Sequence, residues 1–200
     1  MSETFLVTGF EPFAEHRANS SWEALAWLRP RWPATVVTLR LPVDHHRAHL
    51  ELRRALDEVA PSSVLCTGLA RGDLYRIERR ARRPEPLATE GPELVHGRWP
   101  WEEMRSALEG TGVSAIDSDD AGRYVCESTY WSLLTYRGRA APPAFAAFLH
   151  VPPLSPEQPV ERIAAAIASV VDARRASLRD SDGTPADATS LARAGERPGR

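Results

Sequence analysis

Lysine is absent from this chain, and all 25 basic side chains are arginine. Together with the many alanines, this points to a GC-rich coding bias and not to a function. Cysteine is scarce. Cys66 and Cys126 are too few for a disulfide framework, and a reducing compartment would keep both as thiols. Long apolar runs are missing too. The longest, near Ile163 to Val171, is far too short to span a bilayer, and the opening "MSETFLVTGF" has neither a basic n-region nor a long apolar segment. A membrane location is therefore excluded from the expectation, which is a cytoplasmic protein. There is also no excess of positive charge: a net charge of -2 and a pI near 6.3 give no overall basic field for nucleic acid or an anionic membrane. No internal repeat occurs.

What is present suits one α/β domain. Two hundred residues, 42% of them hydrophobic, can bury one sizeable core. "TFLVTG", "TVVTLRL", "SVLCTG", "VSAIDS" and "FAAFLHV" read as strands with little room for a fully polar face. Helical patterns lie between them. Ser20 and Glu23 have capping-box spacing ahead of "WEALAWL", and Ala48, Leu52, Ala55, Leu56 and Val59 share a face before Pro61. Ser155, Pro156 and Gln158 are expected to open a last helix with Val160, Ile163, Ala164, Ile167 and Val171 on one side. The alternation predicts a three-layer α/β/α sandwich with a mostly parallel central sheet over residues 1–176. From Ser177 onward the apolar period ends and breakers accumulate, so 177–200 is expected to be a disordered tail.

Three residues draw attention by position. Cys126 follows the strand "VSAIDS" and the turn "DDAG" and begins a helix carrying Tyr130, Leu133 and Leu134. The carboxyl ends of strands are where α/β sheets place their functional crevice, and a helix N-terminus stabilises a thiolate. Free cysteine is also a common buried apolar residue, so a nucleophile and a core thiol both remain open. Cys66, inside an apolar strand, reads as core. His150 ends "FAAFLH" just before Pro152 and Pro153, where an imidazole can reach the crevice mouth or can simply bond one carbonyl. Glu78, in "YRIERRARR", alternates with Tyr75, Ile77 and Arg79. It can orient an imidazole, or it can neutralise the neighbouring arginines, which themselves read as a solvated face and not as a nucleic-acid patch. In "DHHRAH", His46 and His49 form an i, i+3 pair without a third ligand, which reads as a solvated helix start and not as a metal site.

Taken in order, "FLVTGFEPF", "ANSSWEAL", "GLARGDLYRIERRA", "DAGRYVCESTYWSLL" and "AFLHVPP" resemble the pyroglutamyl peptidase I (pyrrolidone-carboxylate peptidase) family, from about Phe5 to Val171. The resemblance implies an α/β/α sandwich and a cysteine peptidase with Cys126 as nucleophile, His150 as acid and base, and Glu78 as its orienting carboxylate. It implies a thioester acyl-enzyme, no metal or organic cofactor, N-terminally blocked peptides as substrates, and a homo-oligomer. Phe10 and Phe13 match the aromatic residues of the first loop that grip the lactam ring, although either can also be core. Tyr124 and Val125 match further pocket positions.

The chain departs from the family pattern around the substrate. Ala14 and Glu15 replace a glycine pair, Leu69 stands where many members have glutamine, Glu127 replaces an asparagine after the nucleophile, and "RRPEPLATEGP" is shortened. Two functions follow: an active exopeptidase or a relative with shifted acyl specificity, and a non-catalytic binding protein on the same scaffold. Retention of all three triad residue types favours the first.

Overall fold

The computed structural model describes residues 3–13, 17–70, 72–85 and 88–182. The chain forms β1 (Phe5–Phe10), α1 (Ser20–Leu28), β2 (Val36–Leu41), α2 (His45–Val59), β3 (Ser63–Leu69), β4 (Tyr75–Glu78) and β5 (Arg80–Arg82). It continues through β6 (Leu94–His96), α3 (Trp101–Glu109), β7 (Ala115–Ser118), α4 (Val125–Leu134), β8 (Phe145–Val151) and α5 (Val160–Asp182). Strands β1 and β3 are buried on both faces, as their near-continuous apolar sequences require of central strands.

Six strands make one sheet in the order β2-β1-β3-β8-β4-β7. The first four are mutually parallel, β4 is antiparallel to β8, and β7 is parallel to β4. The expected mostly parallel sheet is present, with one reversal on one side of β8. Helices cover both faces. Leu25 of α1, Met104 of α3 and Ile167 of α5 share one core; Leu52 of α2 and Leu133 of α4 share the other. Strands β5 and β6 pair as a small antiparallel ribbon. Among the described residues, no helix is long and apolar enough to cross a membrane.

Several element ends differ from the sequence reading. Asn19, not Ser20, caps α1, its Oδ1 accepting the Ser21 N–H at 3.1 Å. Each residue of "NSS" is a good cap, and the choice falls to the one whose backbone stays extended. Gly9 lets this helix start touch the sheet, since a Cβ there would lie 2.9 Å from the Ser21 backbone. The Ser21 hydroxyl then accepts the Phe10 N–H at 3.0 Å, which fixes the loop carrying Phe13. Ser155 caps only a turn, accepting the Gln158 N–H at 3.1 Å, and α5 begins at Val160.

The domain boundary also moves. Residues expected to begin a disordered tail at 177 continue α5 to Asp182. Leu178 packs on the core, and the Ser177 hydroxyl donates to Glu103 at 2.6 Å, so packing holds the turn where periodicity alone fades. Residues 183–200 lie outside the described residues.

Candidate active site

The reversal of β4 sets the site's geometry. The strand before Cys126, β7, runs against β3 and β8, so Cys126 does not simply follow the carboxyl end of its own strand. The intervening loop carries the chain to the carboxyl ends of β3 and β8 instead. There Cys126 sits half-buried in the first turn of α4, with its Sγ 3.0 Å from the place a Cβ on Gly68 would occupy. Only glycine leaves room for the sulfur at that point of β3.

β8 supplies the imidazole. His150 pairs with Gly68 of β3 on one side and with Arg76 of β4 on the other. It is 7% exposed and packs 4.8 Å from the Phe148 ring. Its Nδ1 is 2.8 Å from Glu78 Oε1, and Glu78, at the end of β4, is 0% exposed. An ionised carboxylate only accepts, so Nδ1 carries the hydrogen and Nε2 is left for a second partner, with the Cys126 thiol near enough to raise the proton affinity of the ring. Tyr130 of α4 donates its hydroxyl to the Glu78 carbonyl at 3.0 Å, fastening the helix of Cys126 to the strand of Glu78.

Electrostatics separate the two thiols. Burial pushes the Cys66 thiol up to about 12, with a Thr8 hydrogen bond only partly opposing it, so this residue is an inert core thiol. His150 moves the other way from what burial dictates. Desolvation lowers its proton affinity, but Cys126 and Glu78 together outweigh it and raise the imidazole to about 9. A protonated His150 is the counter-ion that a reactive thiolate needs.

The expected substrate residues divide. Phe13 lies with its ring 6.3 Å from Tyr124, and Tyr124 is 52% exposed at the head of α4. Phe10 and Val125 are sealed in the core with Leu6, Leu41 and Phe148, so Phe10 takes the core alternative. Leu69 is a correction. It pairs with Val151, whose side chain belongs to the core on the face opposite Gly68, Cys126 and His150. Alternation along β3 therefore directs Leu69 away from the Cys126 thiol. Ala14 and Glu15 lie outside the described residues.

His45 was missed. It packs edge-on to Tyr124 at 5.5 Å. The Ser128 hydroxyl donates to the Val125 carbonyl at 3.0 Å, so His45 donates its Nδ1–H to the Ser128 Oγ at 2.8 Å. One turn on, His49 Nδ1 and Ser132 Oγ repeat the contact at 2.7 Å. Matching i, i+4 pairs on two helices were the available signal. His49 is thus engaged by a hydroxyl, and among the described residues no group of three or more His, Cys, Asp or Glu is placed to hold a metal ion. The arginine run is likewise accounted for. Arg79 pairs with Asp117, Arg80 with Asp119, Arg82 with Asp120 and Arg83 with Glu85.

A helix-start thiol, an imidazole and a buried carboxylate, linked in series on a three-layer α/β scaffold, define a cysteine hydrolase. The pyroglutamyl peptidase family model matches residues 3–179, and the chain belongs to this family of cysteine peptidases. It is similar to the pyrrolidone-carboxylate peptidase of Clavibacter michiganensis subsp. michiganensis, at 32% identity over 203 residues, covering 88% of this chain and 95% of the relative. The pyrrolidone-carboxylate peptidase of Pseudomonas fluorescens is 33% identical over 205 residues, covering 92% and 94%. Among solved structures, the pyrrolidone carboxyl peptidase from Thermococcus litoralis superimposes with a TM-score of 0.77 at 25% identity, covering 90% of this chain and 96% of that one.

Proposed function

We propose that this chain removes the pyroglutamyl (5-oxoproline) residue from the N-terminus of blocked peptides, with Cys126, His150 and Glu78 as its catalytic groups. The carrying observation is the His150 imidazole held at 2.8 Å by a fully buried Glu78, with the Cys126 thiol near enough to raise the proton affinity of the ring. The thiolate attacks the lactam-bearing carbonyl carbon. The C–N bond breaks, and His150 gives its proton to the departing amine, leaving a thioester on Cys126. Neutral His150 then takes a proton from water as the water adds to the thioester, the C–S bond breaks to release pyroglutamic acid, which gives its carboxyl proton to solvent, and the Cys126 thiolate and protonated His150 are restored.

The oxyanion of each tetrahedral stage faces the first turn of α4. Its N-cap, Tyr124, makes no side-chain capping bond, so the backbone N–H groups there remain available as donors. A lactam has no α-ammonium, and the half-buried Phe13 with the exposed Tyr124 ring, tilted at 43° to it, offers apolar aromatic surface suited to an uncharged ring. The test is hydrolysis of a pyroglutamyl fluorogenic amide beside prolyl and glutamyl amides. Preference for the pyroglutamyl compound, abolished in Cys126→Ala, is the expected result. Equal cleavage of all three, or turnover by Cys126→Ala, overturns the proposal.

A further inference from the structure

Arg76 is the exception in the arginine run of "YRIERRARR". Arg79, Arg80, Arg82 and Arg83 each pair with a carboxylate. Arg76 is half-buried and forms no ion pair among the described residues, and its Nε is buried with no hydrogen-bond partner. A permanent cation partly withdrawn from water and lacking a counter-ion attracts an anion more strongly than one already paired.

Its place on the sheet says which anion. Tyr75 and Ile77 belong to the core shared by α1, α3 and α5, so alternation along β4 turns Arg76 and Glu78 to the opposite face, where His150 and Cys126 lie. Arg76 and His150 are Cα partners across the antiparallel β4 and β8 pair. Side chains paired in this way have Cβ atoms about 4.5–5.5 Å apart. On the other edge of β4, Arg76 is in register with Ile116 of β7. Ala115 packs on the α1, α3 and α5 core, so Ile116 turns to the face of Arg76, and its 39% exposure leaves the outer end of that face open to solvent.

Across the sheet the groups stand in the order a scissile bond needs. Phe13 lies past the end of β1, the Cys126 sulfur stands over Gly68 of β3, His150 is on β8 and Arg76 is on β4, and these strands are neighbours in that order. With the lactam ring at Phe13 and the acyl carbon at the sulfur, the amine that His150 protonates lies toward β8, and the departing peptide continues over β4. One residue spans at most about 3.6 Å, and neighbouring strands are about 4.8 Å apart. A carboxylate one residue past the scissile bond therefore comes within reach of a guanidinium rooted on β4.

We infer that Arg76 is a specificity-determining residue for the leaving group: it binds a carboxylate carried by the residue after the scissile bond, either the free C-terminus of a blocked dipeptide or an acidic side chain. The inference rests on the peptidase reading above. The planar guanidinium fork matches a carboxylate with two parallel N–H···O bonds, and Ile116 beside it offers an apolar contact to the aliphatic part of the same residue.

The test measures kcat/KM on two matched pairs: pyroglutamyl-alanine with a free or an amidated C-terminus, and pyroglutamyl-aspartyl amide beside pyroglutamyl-asparaginyl amide. Wild type is expected to favour the charged member of at least one pair by about tenfold, with the preference shrinking as salt rises. A preference in the first pair identifies the C-terminal carboxylate, and one in the second identifies the side chain. Arg76→Gln removes the preference, and Arg76→Lys, which keeps the charge without the fork, restores part of it. The ratio within a pair cancels any general loss of turnover, which is all that a merely structural Arg76 would cause. Equal kcat/KM within both pairs in wild type, or a preference that survives Arg76→Gln, overturns the inference. Should Arg76→Gln not fold, the wild-type ratio decides, because a preference insensitive to salt also overturns it. Failure of the peptidase reading shows differently, as both members of both pairs left intact by wild type, and takes this inference with it.

Discussion

Gly68→Ala measures how tightly the Cys126 thiol is seated. The added methyl would stand 3.0 Å from Cys126 Sγ, 2.9 Å from Phe148 Cζ and 3.1 Å from Phe148 Cε1. Comfortable carbon contacts lie at about 3.5–4.0 Å, so the neighbours must give way by about 0.5–1 Å in total. Phe148 has little freedom. It is fully buried, with Tyr130 at 5.6 Å and His150 at 4.8 Å from its ring. The half-buried sulfur is the softer neighbour and takes most of the shift. Overpacking of this kind costs about 1–3 kcal/mol, or about 2–12 °C in Tm for a chain of this size. A displacement near 1 Å at a reacting atom costs up to about 10²-fold in rate. The assays are kcat/KM on a pyroglutamyl fluorogenic amide, the rate of thiol alkylation, and Tm by calorimetry. The expected result is a fall of about tenfold to a hundredfold in kcat/KM at a temperature where the variant is still folded, with slower alkylation of Cys126. Wild-type kcat/KM with unchanged Tm would refute the close seating of Sγ against β3.

The remaining predictions use other parts of the site and the fold. Glu78→Gln removes a charge that raises His150 to about 9, so the alkaline limb of kcat/KM, present because the imidazolium is lost as pH rises through that value, moves to lower pH; an unmoved limb refutes the coupling. The same raised value makes a stabilising contribution that is complete below the unfolded-state value of about 6.5 and lost as pH rises through about 9, so urea midpoints decline over that window more in wild type than in His150→Ala. Alkylating agents modify Cys126 and spare Cys66, whose thiol is buried and raised to about 12; mass spectrometry of partly inactivated enzyme reads the site. A chain ending at Ala176 loses the Ser177 to Glu103 bond and the Leu178 contact and is less stable by about 2–3 kcal/mol, measured by denaturant unfolding.

Cys126, His150 and Glu78 were legible because each carries a local mark: a glycine turn before a helix, a proline pair after a strand, and an acid on an alternating segment. The direction of β4 and β7 carries no such mark. Periodicity of two reads alike in parallel and antiparallel strands, and the pairing of Arg76 with His150 is decided by tertiary packing. The face of Leu69 was hidden for the same reason, since it follows from register with Val151 and not from the residue itself. The end of α5 was misread because Ser177 and Leu178 are held by α3 and the core across the fold, beyond the reach of a local pattern. His45 and His49 showed their spacing in the sequence, but their partners on α4 were eighty-three residues away.

β8 occupies the lane between β3 and β4 and bonds along both of its edges, although it is the last strand to be synthesised. A growing chain that has passed Cys126 but not Val151 holds the thiol and the carboxylate with nothing between them to move a proton. It also leaves the edges of β3 and β4 unpaired, the condition in which partly made sheets are most prone to wrong partners. Insertion of one strand ends both states together: the sheet loses its gap and the Cys126 thiol gains its imidazole neighbour. Strand order in this fold ties closure of the sheet and placement of the His150 imidazole to a single strand.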